Sequence, residues 1–132
     1  GGAATRWRFD ARTGGKTVAS VTRASGAALH MEVRVSKTEL HVGDTWDAAA
    51  VRVRILDEYG TPASYAQLPV RFSLTGPAAL IGPDTVTAEG GMTGTYVRTA
   101  GESGEAVLRI SAAGLPEEEV RFSIQVQNVE QE

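Results

Sequence analysis

The fold of this chain is decided by the stretch from Gly90 to Leu115, which reads GGMTGTYVRTAGESGEAVLRISAAGL. It contains two strand-like runs, and glycines punctuate the turns before, between and after them. Glycines at this density can also cradle a phosphate, but such a loop needs a following helix whose N-terminus faces the anion. No helical pattern follows here, so we interpret the glycines as turn residues of a β-sheet module.

Alternation of apolar and polar residues extends this pattern along the chain. A period of two residues is typical of a strand with one buried and one solvated face. The apolar residues predicted to face inward are Met31, Val33, Val35, Val51, Val53, Ile55, Leu68, Val70, Phe72, Leu74, Leu108, Ile110, Val120, Phe122, Ile124 and Val126. The positions between them carry many arginines, which indicates a solvated face with scattered rather than clustered positive charge. Each run is predicted to be a half-buried antiparallel strand.

Short turn signals separate these runs and indicate how the strands are arranged. They lie at 57–60, 76–77, 82–83, 90–91, 101–104 and 114–116. Six or more short strands with this punctuation in about 100 residues predict an all-β fold, an immunoglobulin-like antiparallel β-sandwich. The uneven loops favour two packed sheets over a closed barrel. Glu117 to Glu119 is the one segment that could form a short helix, and it is too short to affect the fold.

The chain is predicted to hold one domain with a leading segment. Residues 1–4 are interpreted as a cloning scar or a linker, residues 5–26 as a β-hairpin, and residues 27–132 as the sandwich domain. The hairpin would pair two strands across Gly14-Gly15, either as part of the sandwich or as the end of a preceding domain. We expect the natural N-terminus to lie upstream, so a cytoplasmic and an exported parent protein both stay open.

Composition argues against several classes of function. The chain has 13 Lys+Arg and 16 Asp+Glu with a net charge of −3, whereas a nucleic-acid-binding domain needs a basic surface. It has no cysteine, which excludes a thiol nucleophile and a zinc–thiolate site. No apolar run approaches the roughly 20 residues of a membrane span. We therefore expect no cofactor, and neither nucleic acid nor a membrane as a partner.

Acidic residues and histidines do not form a recognisable catalytic or metal site. Glycoside hydrolysis usually requires two carboxylates, and Asp44 with Asp47 comes nearest to such a pair. We interpret both as loop residues that bond nearby backbone, and Asp57 as the opening residue of a turn. His30 and His41 are eleven positions apart and lack the spacing of zinc ligands. The sequence thus predicts no catalytic residue and no metal site.

Aromatic side chains are the remaining candidates for binding. Trp7, Trp46, Tyr59, Tyr65 and Tyr96 could provide a flat platform on which sugar rings stack. The alternative is structural, with both tryptophans partly buried at sheet ends or domain contacts. The tyrosine in GTYV could likewise lock a corner of the sandwich through its hydroxyl. Aromatic residues make up only 6% of the chain, which favours the structural alternative.

Three segments carry a resemblance to a known family. They are SKTELHVGDTWDAAAVRVRILDEYG, LPVRFSLTGPAALIGPD and GGMTGTYVRTAGESGEAVLRISAAGL. Together, from Val33 to Gln125, they resemble the C-terminal Ig-like module of family-2 glycoside hydrolases, the β-galactosidase group, and more generally bacterial Ig-like repeats. The phrases ALIGPD and GGMTGTYVRT are closer to the β-galactosidase version. The resemblance implies a parent hydrolase whose two catalytic glutamates lie upstream of Gly1, so none can be assigned in this chain.

The resemblance implies a non-catalytic accessory domain of a β-galactosidase-like hydrolase. Its partners would be other domains or subunits of that hydrolase. Two alternatives stay open: a carbohydrate-binding module that uses Trp7, Trp46, Tyr59 and Tyr65 to hold a glycan, and a spacer repeat of a surface protein. In each case this fragment itself would not be an enzyme.

Overall fold

The alternating runs become nine strands in a computed structural model that describes residues 28–126. The strands are β1 (His30–Val35), β2 (Glu39–Val42), β3 (Ala48–Leu56), β4 (Leu68–Thr75), β5 (Ala78–Ile81), β6 (Thr85–Ala88), β7 (Met92–Thr99), β8 (Gly104–Ser111) and β9 (Glu118–Val126). The predicted hairpin of residues 5–26, and Trp7 with it, lie outside the described residues. No helix within 28–126 is long and apolar enough to cross a membrane.

The strands form two sheets, as the sandwich prediction requires. The four-stranded sheet has the order β1-β3-β7-β5 and the five-stranded sheet the order β2-β9-β8-β4-β6. Among the described strands, the edges are therefore β1 and β5 in the first sheet and β2 and β6 in the second. Between the described strands every pairing is antiparallel except that of β2 with β9, which places Glu39 opposite Ser123.

The parallel pair arises because the chain changes sheet between β1 and β2 without reversing direction. Only residues 36–38 join these two strands, and a reversal followed by a return would require a longer connection. Hydrogen bonds hold this crossing on both sides. The Ser36 N–H donates to the Ala50 carbonyl at 2.9 Å, and the Thr38 carbonyl accepts from the Ser123 N–H at 2.9 Å.

The inward faces of both sheets merge into one hydrophobic core. Its largest fully buried side chains are Phe72, Phe122, Leu40, Ile55, Leu108, Ile110 and Ile124. Burying a side chain of this size contributes about 1.5–3 kcal/mol. The predicted alternation is confirmed in β3, where Val51 and Val53 are buried and Arg52 is exposed.

One local prediction on β9 is wrong. Val126 was expected to face inward, but 53% of it is exposed, because it is the last residue of its strand. The segment Glu117–Glu119 does not form a helix. Glu118 and Glu119 already belong to β9 and pair with Ile110 and Arg109 of β8. The pairing with β8 outweighs the weak helix preference of three glutamates.

The connecting loops gather at two opposite ends of the sandwich. We call the end that holds loops 43–47, 76–77 and 100–103 the upper end, and the end that holds loops 57–67, 89–91 and 112–117 the lower end. Strand β3 runs from the upper to the lower end, and β7 runs back beside it, with Ala48 opposite Arg98 and Arg54 opposite Met92. Each predicted turn signal falls in one of these loops or, at 82–83, between β5 and β6; only Gly104, the last residue of the signal at 101–104, already belongs to β8.

Candidate functional site

The structure separates the aromatic residues that were proposed as one platform. Trp46 lies in the β2–β3 loop at the upper end, whereas Tyr59 and Tyr65 share the β3–β4 loop at the lower end. All three side chains are exposed. Strand β3 separates the two groups, and nine residues of strand span about 27–30 Å. Tyr59 and Tyr65 share a loop, but no flat platform joins them to Trp46.

Trp46 borders an open cleft at the upper end. The cleft has a volume of about 380 Å³ and is lined by residues 42–46 and 98–101. The Trp46 side chain is 60% exposed at this end of the sheet, where either a sugar ring or a neighbouring domain could contact it. The guanidinium carbon of Arg98 lies 6.0 Å from the centre of the Trp46 ring, at the limit of a cation–π contact. Arg98 also donates from Nη1 to the Thr99 carbonyl at 2.9 Å, which fixes its position beside the indole.

Asp47 holds the loop that carries Trp46. Its Oδ1 accepts from Lys37 Nζ at 2.7 Å and from the Ala48 N–H at 2.9 Å, and its Oδ2 accepts from the His41 N–H at 3.0 Å. Its own N–H donates to Thr99 Oγ1 at 2.9 Å. The hydrogen bond from Lys37 is the main reason that the pKa of Asp47 lies below its ordinary value. This carboxylate is occupied by loop contacts, as the sequence interpretation expected.

Asp57 holds the β3–β4 loop at the lower end through hydrogen bonds to its backbone. Its Oδ1 accepts from the Tyr59 N–H at 2.9 Å and from the Thr61 N–H at 3.0 Å, and its carbonyl accepts from the Gly60 N–H at 3.0 Å. Gly60 has a φ of +79°, a conformation that glycine adopts without strain. The prediction of an aspartate-opened, glycine-closed turn is confirmed. Asp47 and Asp57 therefore hold loops at opposite ends of β3.

The two histidines lie on different sheets. His30 begins β1 and His41 lies in β2, and within residues 28–126 no group of three or more potential metal-binding side chains comes together. Next to His30, at the lower end, is Glu118. Burial raises the pKa of the Glu118 carboxyl, and the nearby charge of His30 opposes this effect.

Tyr96 lies in the middle of β7 rather than at a corner. It faces solvent, is 51% exposed, and stands opposite Ala50 of β3 and Ile81 of β5. The interpretation of this residue as a corner lock therefore does not fit its position. Its neighbours belong to the outer surface of the four-stranded sheet.

That outer surface brings together arginines that look scattered in the sequence. Arg34 stands opposite Arg52, and Glu32 stands opposite Arg54. Since residues directly opposite have Cβ atoms about 4.5–5.5 Å apart, strands β1 and β3 hold three arginines in adjacent positions. Arg98 on β7 adds a fourth. We call this surface the arginine face; it comprises Arg34, Arg52, Arg54 and Arg98 with the outward side chains of Met92, Tyr96 and Ile81.

Glu32 is the acidic residue within the arginine face. Its Oε1 accepts from Arg54 Nε at 2.7 Å, and its Oε2 lies 3.4 Å from Arg34 Nη2. The hydrogen bond from Arg54 is the main reason that the pKa of Glu32 lies below its ordinary value. Sequence reasoning missed this cluster because period-two alternation shows that a residue faces outward but not which residue it faces across the sheet.

Comparison with known proteins places this sandwich in a family. Residues 29–121 match the family described as Glycoside hydrolase family 2 C-terminal domain 5. The chain is 31% identical over 94 residues to a β-galactosidase of Rhizobium radiobacter, covering 71% of this chain and 67% of that protein. It is also 31% identical over 104 residues to a β-galactosidase of Thermoanaerobacter pseudethanolicus, covering 79% of this chain but only 14% of that protein.

A solved structure shows the same fold inside a larger protein. A glycosyl hydrolase family 2 member from Bacteroides cellulosilyticus superposes with a TM-score of 0.68 at 17% identity, over 81% of this chain and 15% of its own. The matched residues 29–121 include the first eight strands and the beginning of β9. The chain therefore belongs to the glycoside hydrolase family 2 C-terminal domain 5 family.

Proposed function

We propose that this chain is a non-catalytic accessory domain of a β-galactosidase-like hydrolase. It would pack on neighbouring domains or subunits and stabilise their arrangement. The family match over residues 29–121 carries this proposal. The proposal is supported by the Thermoanaerobacter relative, of which the matching part is only 14%, so that most of that enzyme consists of other domains.

The contacts of the aspartates within residues 28–126 support a non-catalytic role. Asp47 and Asp57 are occupied by backbone and lysine contacts that hold loops. Glycoside hydrolysis usually requires two carboxyl groups, and in the candidate pair of Asp44 and Asp47 the second carboxylate is held by Lys37 and by backbone N–H groups. Hydrolysis would therefore be the task of another domain.

Deleting the domain from the full-length hydrolase tests the proposal. We expect a lower apparent Tm, a changed oligomeric state by light scattering, or altered kcat and KM on a chromogenic galactoside, because contacts to the domain are lost. The isolated 132-residue chain should not turn over the same substrate. Unchanged stability, assembly and kinetics after deletion would contradict the proposal, as would turnover by the isolated chain.

One observation favours a second candidate, a carbohydrate-binding module. Trp46 is 60% exposed beside an open cleft, and an exposed indole is the kind of surface on which a sugar ring packs. Calorimetric titration of the isolated chain with lactose and galacto-oligosaccharides would test this role. Binding that disappears in Trp46→Ala and persists in Tyr59→Ala, an exposed aromatic at the opposite end, would support it. A titration that gives no more heat than the injection of sugar into buffer would exclude the carbohydrate-binding role.

A further inference from the structure

The arginine face differs in charge from the rest of the described surface. Four arginines share it with a single acidic partner, Glu32, although the chain as a whole has a net charge of −3. Arg34 is largely exposed, with 72% of its side chain accessible. Arg52 is exposed at the centre of the sheet, opposite Gly94. Within residues 28–126, this face thus carries an excess of positive charge.

The outer face of the five-stranded sheet provides the contrast. Two of its three arginines have acidic partners: Arg121 lies 2.7 Å from Glu119 on its own strand and 3.2 Å from Glu105 on β8, and Arg109 lies 3.5 Å from Glu119. Charge on that face is balanced within the domain. The arginine face is left with an excess of guanidinium groups that an external carboxylate can match.

The uncharged residues of the arginine face have the character of a protein interface. Met92 and Tyr96 are each more than half exposed, and Ile81 is 38% exposed. Arginine, tyrosine and methionine are enriched at protein interfaces, whereas lysine is depleted, and this face carries no lysine. Between the large side chains lie small residues that leave the sheet open to close approach: Ala48, Ala50, Ala79 and Gly94.

We infer that the arginine face docks on an acidic protein surface of a neighbouring domain in the same hydrolase. The inference rests on the proposed accessory function and identifies the surface that performs it. The exposed apolar side chains would be buried at the contact, and aspartates or glutamates of the partner would pair with Arg34 and Arg52. An arginine–carboxylate pair can form two parallel hydrogen bonds, which fixes the orientation of the two domains.

A protein surface fits these observations better than an acidic glycan. The face has one aromatic ring, Tyr96, and its other exposed apolar groups are the flexible Met92 and the branched Ile81. Sugar rings pack best on a series of flat aromatic rings, whereas mixed apolar side chains are buried well by another protein core. An acidic glycan is retained as an outcome of the test.

Oxidation of methionine by hydrogen peroxide can report on this contact, because the rate depends on exposure. The chain has two methionines: Met92 is 54% exposed on the arginine face, and Met31 is 3% exposed in the core. In the isolated chain Met92 should oxidise rapidly and Met31 slowly, as measured by peptide mass spectrometry. In the full-length hydrolase we expect Met92 to oxidise at least about tenfold more slowly, because the partner domain covers it.

Reversing the charge of one arginine, with a matched control variant, then tests whether the arginines of this face form the contact. Arg52→Glu in the full-length hydrolase should restore rapid oxidation of Met92, because a glutamate repels the acidic partner. Arg71→Glu makes the same change at an exposed mid-strand position of the other sheet and should leave Met92 protected. Both variants should unfold like the wild type as isolated chains, which shows that the substitution acts on the contact and not on the domain.

The outcomes separate this inference from the proposed function. If deleting the domain has no effect on the hydrolase, the accessory role itself fails. If deletion destabilises the hydrolase but Met92 oxidises equally fast in both contexts, or if Arg52→Glu leaves it protected, the inference alone is overturned. Protection of Met92 in the isolated chain by a hyaluronan hexasaccharide would assign the face to an acidic glycan and would also overturn it.

Discussion

Replacement of Gly94 by alanine tests how closely the two central strands of the four-stranded sheet approach each other. Gly94 on β7 lies opposite Arg52 on β3. A Cβ atom at this position would lie 2.5 Å from the Val51 carbonyl oxygen, about 0.9 Å short of the 3.4 Å at which ordinary contact begins. The obstacle is backbone in the middle of a sheet, so it cannot move aside as the tip of a flexible side chain would.

Two opposing effects determine how much Gly94→Ala changes the free energy of unfolding. Gly94 does not have a positive φ, so alanine is compatible with the local conformation and would by itself stabilise the fold by about 0.4–1 kcal/mol through the unfolded state. Forcing an extra carbon into a packed position costs about 1–3 kcal/mol. The steric cost is the larger, and we expect Gly94→Ala to lower the free energy of unfolding by about 1–2 kcal/mol.

Urea and thermal unfolding of the isolated chain, followed by circular dichroism, would measure this loss. For a domain of this size it corresponds to a fall in Tm of roughly 4–8 °C. Gly60→Ala is the matched comparison: Gly60 has a φ of +79°, but nothing lies within 4 Å of an added Cβ. Its cost is conformational alone, about 1–2 kcal/mol for alanine in the left-handed region less about 0.4–1 kcal/mol gained through the unfolded state, so we expect a net loss of about 0–1.6 kcal/mol. If Gly94→Ala proved as stable as the wild type, the strand spacing described here would be wrong.

Three further substitutions probe the core and the loops. Leu40→Ala should destabilise the chain by about 2–5 kcal/mol in urea unfolding, because this fully buried residue anchors the short strand β2. Asp47→Asn should lower the free energy of unfolding at pH 7. In unfolding curves measured at decreasing pH, the difference from the wild type should disappear as the pH falls through the folded-state pKa of Asp47, which lies below its ordinary value of 3.8. Glu118→Gln should stabilise the chain at pH 7 and have no effect at pH 3, because burial raises the pKa of Glu118 above 4.5 and its ionised form disfavours the fold. Glu117→Gln, at the exposed neighbouring position, should change little at either pH.

Long alternating strands could be predicted because their pattern is local. The runs around Val53, Phe72, Leu108 and Phe122 each contain enough residues for a period of two to be visible, and all are strands with buried inward positions. The strands β2, β5 and β6 have four residues each, which is too short for alternation to be distinguished from chance. The sequence pattern therefore does not predict these three strands.

Features that depend on distant pairing could not be predicted. The parallel contact of β2 with β9 joins Glu39 to Ser123, and no local signal links positions so far apart. The arginine face has the same origin, since it depends on the register that sets Arg34 opposite Arg52. Local turn chemistry was more informative. The roles of Asp47 and Asp57 follow from the tendency of aspartate to bond nearby N–H groups, and both are confirmed.

The short strands at the sheet edges have a consequence for the behaviour of the protein at high concentration. An exposed edge offers unpaired backbone groups to which another chain can add, and this is the usual beginning of fibril growth. In the part of the chain that the structure describes, three of the four edge strands, β2, β5 and β6, have only four residues, and Gly76-Pro77 and Gly82-Pro83 flank β5 on either side. Proline cannot donate the hydrogen bond that an added strand would need. The folded domain should therefore resist strand-by-strand aggregation.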